Sequence, residues 1–223
     1  MTKGKFIVLE GPDACGKGSV AEFIRTNFDN FKHTREIGGT PYAEGIRQIM
    51  LDTKHTGVLV ISELLACYAA RIDHCQEIKR ILDSGVNVIC ERFYWSTFAY
   101  QGDSPELMAV HNLSAPYMLE PDLTIYLNVS TDVSQHRMFK VRQAQGIALD
   151  KIELRPREYH ERVRDRYNAL CQSQKNVEIV DAEQPLETVK SSVRQVINRL
   201  LGVTHENFGD GECIEELCSD EAR

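Results

Sequence analysis

The sequence contains no long hydrophobic run. None of its apolar stretches approaches the roughly 18 residues that a membrane-spanning helix requires. The N-terminal stretch "MTKGKFIVLE" has only a short apolar segment, without the longer apolar region and small-residue cleavage site of a signal peptide. These absences argue against a membrane protein and against a secreted one. We therefore expect a cytoplasmic protein with no membrane partner.

Paired cysteines are also missing. The seven cysteines are an odd number, and none of them forms a C-x-x-C pair. A disulfide framework and a cysteine-rich zinc site both require regular cysteine spacing. The spacing therefore excludes both classes, and we expect reduced thiols.

The chain lacks a surplus of basic residues. Its formal net charge is −7, and residues 203–223 alone contain seven acidic residues and one arginine. The rest of the chain is close to neutral, whereas nucleic-acid binding proteins need a strongly basic surface, so we expect no nucleic-acid partner. We expect residues 203–223 to form an acidic, solvated tail. Covering a basic patch or recruiting a partner are the alternative roles of this tail.

What the sequence does contain is an alternation of short apolar runs with helical patterns. Four apolar runs, which predict buried strands, occupy residues 5–10, 86–91, 123–129 and 176–182, and a further short strand is predicted at residues 31–36. The helical patterns occupy residues 17–28, 41–52, 61–83, 105–118, 131–143, 155–174 and 185–201. This alternation is typical of an α/β fold, in which helices cover both faces of a parallel sheet. We expect about five strands in one domain over residues 1–202, followed by the tail.

A glycine loop follows the first predicted strand and precedes the first predicted helix. In "GPDACGKGS", Gly11, Gly16 and Lys17 have the spacing of a phosphate-binding loop. Backbone N–H groups of such a loop bind phosphate oxygens, and the lysine places a positive charge over the transferred group. We expect a nucleoside triphosphate to be bound by Gly11, Pro12, Ala14, Cys15, Gly16, Lys17, Gly18 and Ser19.

A second anion site is predicted at the same edge of the sheet. Arg35 and Arg92 each follow a predicted strand, and ligands of open parallel sheets bind at the carboxyl ends of the strands. Asp13 lies inside the glycine loop, where a carboxylate repels phosphate. It should therefore face another group, such as a sugar hydroxyl. Together these residues predict a second, phosphorylated substrate opposite the triphosphate.

Several stretches together resemble the thymidylate kinase family, whose members phosphorylate dTMP with ATP. The matching stretches are "FIVLEGPDACGKGS", "TREIGGTPYAEGIR", "ELLACYAARIDH", "CERFYWSTFAYQG", "PDLTIYLNV", "DKIE" with "RVRDRY", and "VDAEQPLETV". They occur in family order over residues 5–200. The resemblance implies a P-loop NTPase fold in three layers, a dTMP kinase acting in dTTP synthesis, Mg²⁺ as cofactor and a homodimer.

The resemblance also implies roles for individual residues. Lys17 would bind the ATP phosphates, Arg92 would hold the acceptor monophosphate with help from Arg35, and Asp13 would accept from the sugar 3′-hydroxyl. Glu91 would contact the magnesium shell, mainly through water. The implied substrate-binding residues are Asp13, Arg35, Cys67, Arg71, Arg92, Ser96, Thr97, Tyr100 and Gln101, with Arg71 and Thr97 at the base edge and Tyr100 at the sugar 2′ position.

The resemblance further implies a lid over ATP at residues 136–153. One branch of the family carries a catalytic arginine in the glycine loop, but here the corresponding residue is Ala14. The lid should therefore supply the positive charge that phosphoryl transfer needs. Arg142 is the first candidate, followed by Arg137, which is also expected to contact ATP, and Lys140.

Four positions depart from the family pattern. Ile37 replaces the usual proline after Arg35 and Glu36, which implies a less rigid turn. Gly18 replaces the usual loop hydroxyl, which implies a magnesium ion held more by phosphates and water. Glu91 replaces the usual aspartate, and Cys67 stands where the family usually has a phenylalanine that stacks on thymine. The last departure leaves other acceptors open, such as dUMP, a 5-substituted dUMP or dGMP. A nucleotide-binding protein without catalysis is the alternative of a different class.

Overall fold

Five parallel strands form the central sheet. The structure, a computed structural model, describes residues 2–203 apart from residues 53, 56, 103 and 151. The strands are β1 (Phe6–Glu10), β2 (Phe31–Arg35), β3 (Asn87–Glu91), β4 (Leu123–Asn128) and β5 (Val177–Asp181). They are hydrogen-bonded in the order β2-β3-β1-β4-β5, and every pair is parallel. The predicted α/β fold with about five strands is confirmed.

Helices cover both faces of this sheet. In the described part of the chain they are α1 (Lys17–Asn27), α2 (Pro41–Leu51), α3 (Val60–Asp83), α4 (Tyr94–Gln101), α5 (Pro105–Ser114), α6 (Thr131–Gln145), α7 (Arg157–Ser173) and α8 (Leu186–Leu201). Three of them begin after a hydroxyl residue, because the side chains of Thr40, Ser104 and Ser130 each accept from a backbone N–H in the first turn. These caps satisfy N–H groups that have no partner within the helix.

The middle strand, β1, is buried along its whole length. Successive side chains of a strand point to opposite faces. Accordingly, Phe6 and Val8 pack in one hydrophobic cluster with α3, whereas Ile7 and Leu9 pack in another with α1 and α8. The loop after β1 is therefore attached to the most rigid part of the sheet.

The elements differ from the predicted ones in two places. Helix α4 was not predicted, because "YWSTFAYQ" has no polar and apolar alternation of helical period. The predicted helix 105–118 ends as an α-helix at Ser114 and continues as a short 3-10 turn, Ala115–Tyr117. Pro116 explains this ending, because it has no backbone N–H for the next helical hydrogen bond.

The remaining predictions concern the ends of the chain and the membrane. Among the described residues, no helix is long and apolar enough to span a bilayer. The predicted tail, residues 203–223, lies outside the described residues apart from Val203. The division into a domain and a tail therefore stays a prediction.

Candidate active site

The loop between β1 and α1 forms a concave cradle of backbone groups. Gly11 has a φ of 148°, and a Cβ on it would lie 2.7 Å from the backbone oxygen of Leu127, so only glycine fits there. Gly16 is left-handed, with a φ of 102°, and no side chain caps α1. The first N–H groups of α1 consequently remain available to an anion at the positive end of the helix.

Lys17 lies across the mouth of this cradle. Its side chain is buried, and its Nζ donates to Pro12 O at 2.8 Å and to Gly11 O at 3.0 Å. These carbonyls hold the ammonium group directly beside the loop amides. The arrangement keeps one positive charge where a bound phosphate would need it.

A cavity of about 770 Å³ opens beside the loop. Its walls come from the loop, from α6 and from the turn between β5 and α8. The lining residues are Asp13, Ala14, Cys15, Gly16, Lys17, Gly18, Ser19, Val20, Glu91, Arg92, Arg137, Val141, Gln145, Ala182, Gln184, Leu186 and Val189. Arg137 Nη1 donates to Ala182 O at 2.7 Å, which fixes its guanidinium near the apolar side chains of Leu186 and Val189. A partly apolar cavity of this kind suits a nucleobase.

Arg92 and Asp13 meet on the other side of the loop. Arg92 follows β3 with a left-handed φ of 67°, which is rare for a residue with a side chain. Its guanidinium forms an ion pair with Asp13, and its Nη1 donates to Gly11 O at 3.1 Å and to Ser96 Oγ at 3.2 Å. Tyr100 Oη donates to Asp13 Oδ2 at 2.8 Å. The predicted neighbours Asp13, Arg92 and Tyr100 are thus in direct contact.

The ionisation of Asp13 follows from this setting. Burial alone would raise the pKa of Asp13, but the nearby charges of Arg92 and Lys17 outweigh burial and lower it. Asp13 is therefore a carboxylate at neutral pH.

The start of α4 is held by Glu10, a residue that was not among the predicted site residues. The buried Glu10 carboxylate accepts from Phe93 N at 2.7 Å, from Ser96 Oγ at 2.7 Å and from Tyr167 Oη at 3.0 Å. Burial raises the pKa of Glu10, even though these hydrogen bonds oppose the rise. The only signal in the sequence was an acidic residue at the last position of an otherwise apolar strand. Glu10 thereby fixes the helix that presents Tyr100.

A buried arginine lies further along the same crevice. Arg71 Nε donates to Glu36 Oε2 at 2.7 Å, its Nη2 donates to Thr97 Oγ1 at 2.9 Å, and its guanidinium lies 4.8 Å from the centre of the Tyr68 ring. Two nearby polar atoms, Arg71 Nη1 and Gln101 Oε1, are buried without a partner among the described residues. A buried donor and a buried acceptor left free in one region indicate a binding site for a polar ligand.

Cys67 lies one helical turn before Arg71 on α3. Its side chain is buried, and its Sγ lies 3.8 Å from Met50 Sδ. Burial raises the pKa of Cys67 to about 11, so the thiol is neutral at physiological pH. Residue 67 thus contributes a thiol to this region, whereas the aromatic ring beside Arg71 comes from Tyr68.

Comparison with known proteins connects these features. The family profile described as thymidylate kinase matches residues 9–193, which is most of the chain. The chain belongs to the thymidylate kinase family. A thymidylate kinase from Latilactobacillus sakei is 40% identical over 205 residues, covering 87% of this chain and 94% of that protein. One from Marinomonas sp. is 37% identical over 208 residues, covering 89% of this chain and 96% of that protein.

Solved structures of thymidylate kinases have the same fold. The thymidylate kinase of Ehrlichia chaffeensis superposes with a TM-score of 0.66 at 26% identity, covering 88% of this chain and 99% of that one. The Candida albicans enzyme superposes with a TM-score of 0.72 at 21% identity, covering 91% of this chain and 94% of that one. At this low identity, the similarity is evidence for the fold only. The predicted P-loop NTPase fold is therefore confirmed.

Glu91 and Gly18, two departures from the thymidylate kinase pattern, lie side by side. A Cβ on Gly18 would lie 3.8 Å from Glu91 Oε2, and Glu91 Oε1 lies 2.8 Å from His33 Nε2. Burial would raise the pKa of Glu91, but the hydrogen bond from His33 and the charges of His33 and Lys17 lower it. An ionised carboxylate therefore faces the loop at the point where Gly18 has no side chain.

Arg35 and Arg92 are accompanied by a third arginine that the sequence analysis missed. Arg35 is half-exposed, and its Nη2 donates to Glu44 Oε2 at 3.1 Å. Arg47, on α2, donates to Ile37 O at 3.0 Å. Burial lowers the pKa of Arg47, and the like charges of Arg35 and Arg92 lower it further. The positive charges of Arg35 and Arg92 thus both act on Arg47. The sequence indicates the position of Arg47 only through its spacing, because it follows Glu44 by three residues and therefore lies on the same face of the helix.

The lid arginines occupy different surroundings. Arg142, the first candidate for the catalytic charge, is paired with Glu153, with its Nη2 donating to Oε1 at 2.7 Å. Both residues belong to the predicted lid, so Arg142 is held within the lid and does not line the cavity. Arg137 lines the cavity, and Lys140 is exposed on α6. The roles of these cations stay predictions.

Proposed function

We propose that this chain transfers the γ-phosphate of ATP to dTMP, giving ADP and dTDP. One observation carries the proposal beyond family membership. A phosphate loop and an arginine-rich acceptor site lie on the two sides of a single residue, Asp13. A pure nucleotide-binding protein has no need of the second site. The same arrangement suits a kinase that takes two phosphorylated substrates.

The donor side is formed by the loop and α6. Loop amides and the N-terminus of α1 would bind the ATP phosphates, and Lys17 would exchange its carbonyl partners for phosphate oxygens. Arg137 would lie against the adenine. The segment 136–153 would close over the nucleotide and exclude water, and Arg142 would reach the transferred group by leaving Glu153.

The acceptor side is formed by the arginines around Asp13. Arg92, with Arg47 and Arg35, would hold the acceptor phosphate, which relieves the repulsion that Arg35 and Arg92 exert on Arg47. Asp13 would then accept a hydrogen bond from the sugar 3′-hydroxyl, and Tyr100 would crowd the 2′ position. The free donor on Arg71 and the free acceptor on Gln101 would pair with the edge of the base.

Magnesium fits the residues beside the loop. Glu91 supplies an ionised oxygen, and Gly18 leaves open space next to it. Mg²⁺ prefers oxygen ligands and keeps several waters, so Glu91 would hold it mostly through water. When bound, the ion supplies positive charge to the β- and γ-phosphate oxygens.

A coupled assay tests the proposal. ATP and Mg²⁺ are supplied with a panel of monophosphates, namely dTMP, dUMP, a 5-substituted dUMP and dGMP, and ADP release is followed. We expect the highest kcat/KM with dTMP. Cys67 favours a second candidate, a kinase with a wider acceptor range, because a small side chain leaves room for a larger base. ATP binding without transfer to any monophosphate would favour the non-catalytic alternative.

A homodimer and a cytoplasmic location belong to the same proposal. Helices α2, α3 and α5 pack side by side and expose large apolar side chains, with Ile49 61%, Leu59 70% and Leu113 74% exposed. Burial of such a surface against a second copy would be favourable. Light scattering during gel filtration should give twice the chain mass; a single-chain mass at all concentrations would contradict the dimer.

A further inference from the structure

A buried polar cluster lies beneath the turn between β2 and α2. It consists of Thr34, Glu36 and His74, and His74 is only 1% exposed. His74 Nε2 lies 2.7 Å from Thr34 Oγ1, and its Nδ1 lies 3.5 Å from Glu36 Oε1. The second contact is electrostatic and does not have hydrogen-bond geometry, so neither Nδ1 nor Glu36 Oε1 has a hydrogen-bond partner in the described part of the chain. Such atoms are costly to bury, so the cluster needs a reason to be polar.

Through Glu36, the cluster contacts Arg71, whose Nη1 is the donor without a partner in the acceptor site. Glu36 uses its other oxygen, Oε2, to accept from Arg71 Nε at 2.7 Å. Thr97 holds Arg71 Nη2 at 2.9 Å. These two contacts fix the guanidinium plane and leave only Nη1 without a partner. His74 is three residues after Arg71 on α3, so the two side chains lie on one face of the helix.

The turn above the cluster packs tightly on the imidazole. A Cβ on Gly39 would lie 2.2 Å from His74 Nε2 and 2.6 Å from Thr34 Oγ1. The backbone of the turn therefore packs directly on His74 and Thr34, which also line a cavity of about 340 Å³. Glu36 contacts both Arg71 and His74, two residues of α3.

The hydrogen positions follow from the donors and acceptors. The Thr34 hydroxyl can donate to Nε2, which leaves an N–H on Nδ1 facing Glu36. That N–H orients the Glu36 oxygen that does not bond Arg71. We propose that His74 is a positioning residue of the acceptor site, which acts through Glu36 to hold Arg71 in the orientation that pairs with the base. This inference rests on the proposed dTMP kinase activity.

The test uses the selectivity between two bases. The N–H of Arg71 Nη1 pairs with a carbonyl oxygen but opposes an amino group. Wild-type enzyme should therefore prefer dTMP to 5-methyl-dCMP, in which an amino group replaces the 4-carbonyl. His74→Phe keeps a ring but removes both nitrogens. We expect it to raise the KM for dTMP about tenfold and to lower the preference about tenfold, with kcat and the KM for ATP within about twofold.

Matched variants separate positioning from simple destabilisation. His74→Asn can still donate to Glu36 and should recover most of the preference. Cys75→Ala changes the next buried residue of α3 and should lower Tm without changing the preference. If His74→Phe does not fold, Thr34→Val removes the hydroxyl partner and should lower the preference in the same direction. An unchanged preference in whichever of these two variants folds would overturn the role of His74.

The outcomes also separate this inference from the proposed function. A wild-type protein that neither binds nor phosphorylates dTMP would overturn both. A wild-type protein that is active with dTMP, combined with a His74 variant in which Tm and apparent kcat fall while the KM for dTMP and the preference stay unchanged, would overturn only the positioning role.

Discussion

Replacing Arg92 by alanine is the sharpest test of the acceptor site. Arg92 is 20% exposed, and its guanidinium contacts Asp13, Gly11 O and Ser96 Oγ. Removing it leaves Asp13 without its main positive partner, next to the place where the acceptor phosphate would lie. The backbone adds no new strain, because alanine and arginine carry a similar cost at a φ of 67°.

The size of the effect follows from the charges involved. A hydrogen bond to a charged group contributes about 1.5–3 kcal/mol, and removing one partner of a buried ion pair costs about 3–5 kcal/mol. The acceptor phosphate would lose at least one such bond and would also face an uncompensated Asp13. A loss of about 3–4 kcal/mol in transition-state binding corresponds to a fall of roughly 10²- to 10³-fold in kcat/KM for dTMP.

The measurement compares two substrates and two variants. Steady-state kinetics should give the large fall for dTMP, whereas calorimetric titration should give an ATP Kd within about threefold of wild type, because ATP is proposed to bind mainly through the loop amides, Lys17 and Arg137. Arg25→Ala is the control, since Arg25 is exposed and pairs only with Glu22 among the described residues. Turnover of Arg92→Ala within a few fold of the control would refute the assignment of Arg92 to the acceptor phosphate.

Three further predictions concern single residues. Lys17→Met should reduce phosphoryl transfer by about 10³-fold or more while circular dichroism stays unchanged, because one positive charge at the transferred group is lost; a fully active variant would contradict the loop assignment. Cys67→Phe should lower the KM for dTMP up to about tenfold through base stacking, and should lower Tm because the site is buried; an unchanged KM would show that the base does not lie there. Burial raises the pKa of Glu10, so its contribution to stability is present below the unfolded pKa and is lost as pH rises through the folded pKa. Chemical denaturation of Glu10→Gln should therefore show a stability relative to wild type that increases from pH 4 to pH 7, and a constant difference would mean that Glu10 is not the titrating group.

The order of elements could be predicted from the sequence because it depends on local patterns. Four of the five predicted strands are apolar runs between helical patterns, and β1 is buried on both faces as such a run requires. Helix α4 could not be predicted in this way. Its buried residues, Trp95, Thr97 and Ala99, alternate along the chain as in a strand, and its first turn is held by Glu10, which is 86 residues away from Ser96.

The sequence predicts which residues belong to the site better than it predicts which of them are in contact. Parallel strands end at one edge, so Asp13, Arg35 and Arg92 were expected to face one crevice, and Asp13 and Arg92 are in direct contact while Arg35 pairs with Glu44. The choice among partners depends on distances of a few ångströms, which the sequence does not contain. Arg142 illustrates this limit, because its position in the lid suggested the transferred phosphate, whereas Glu153 on the same segment holds it.

Gly18 and Glu91, the two unusual residues at the phosphate-binding loop, are best understood as one combined departure from the family pattern. The family pattern combines a hydroxyl residue after Lys17 with a shorter carboxylate at the end of β3. Here the hydroxyl is absent at Gly18, and Glu91 extends one methylene further, until its Oε2 lies 3.8 Å from where a Cβ of residue 18 would be. The oxygen missing from the loop is thus replaced in space by an oxygen from the neighbouring strand. His33 holds the opposite oxygen of Glu91, which keeps the longer side chain directed towards the loop. If Mg²⁺ binds beside the loop as proposed, Glu91 would offer it an oxygen ligand from β3 in the neighbourhood of residue 18.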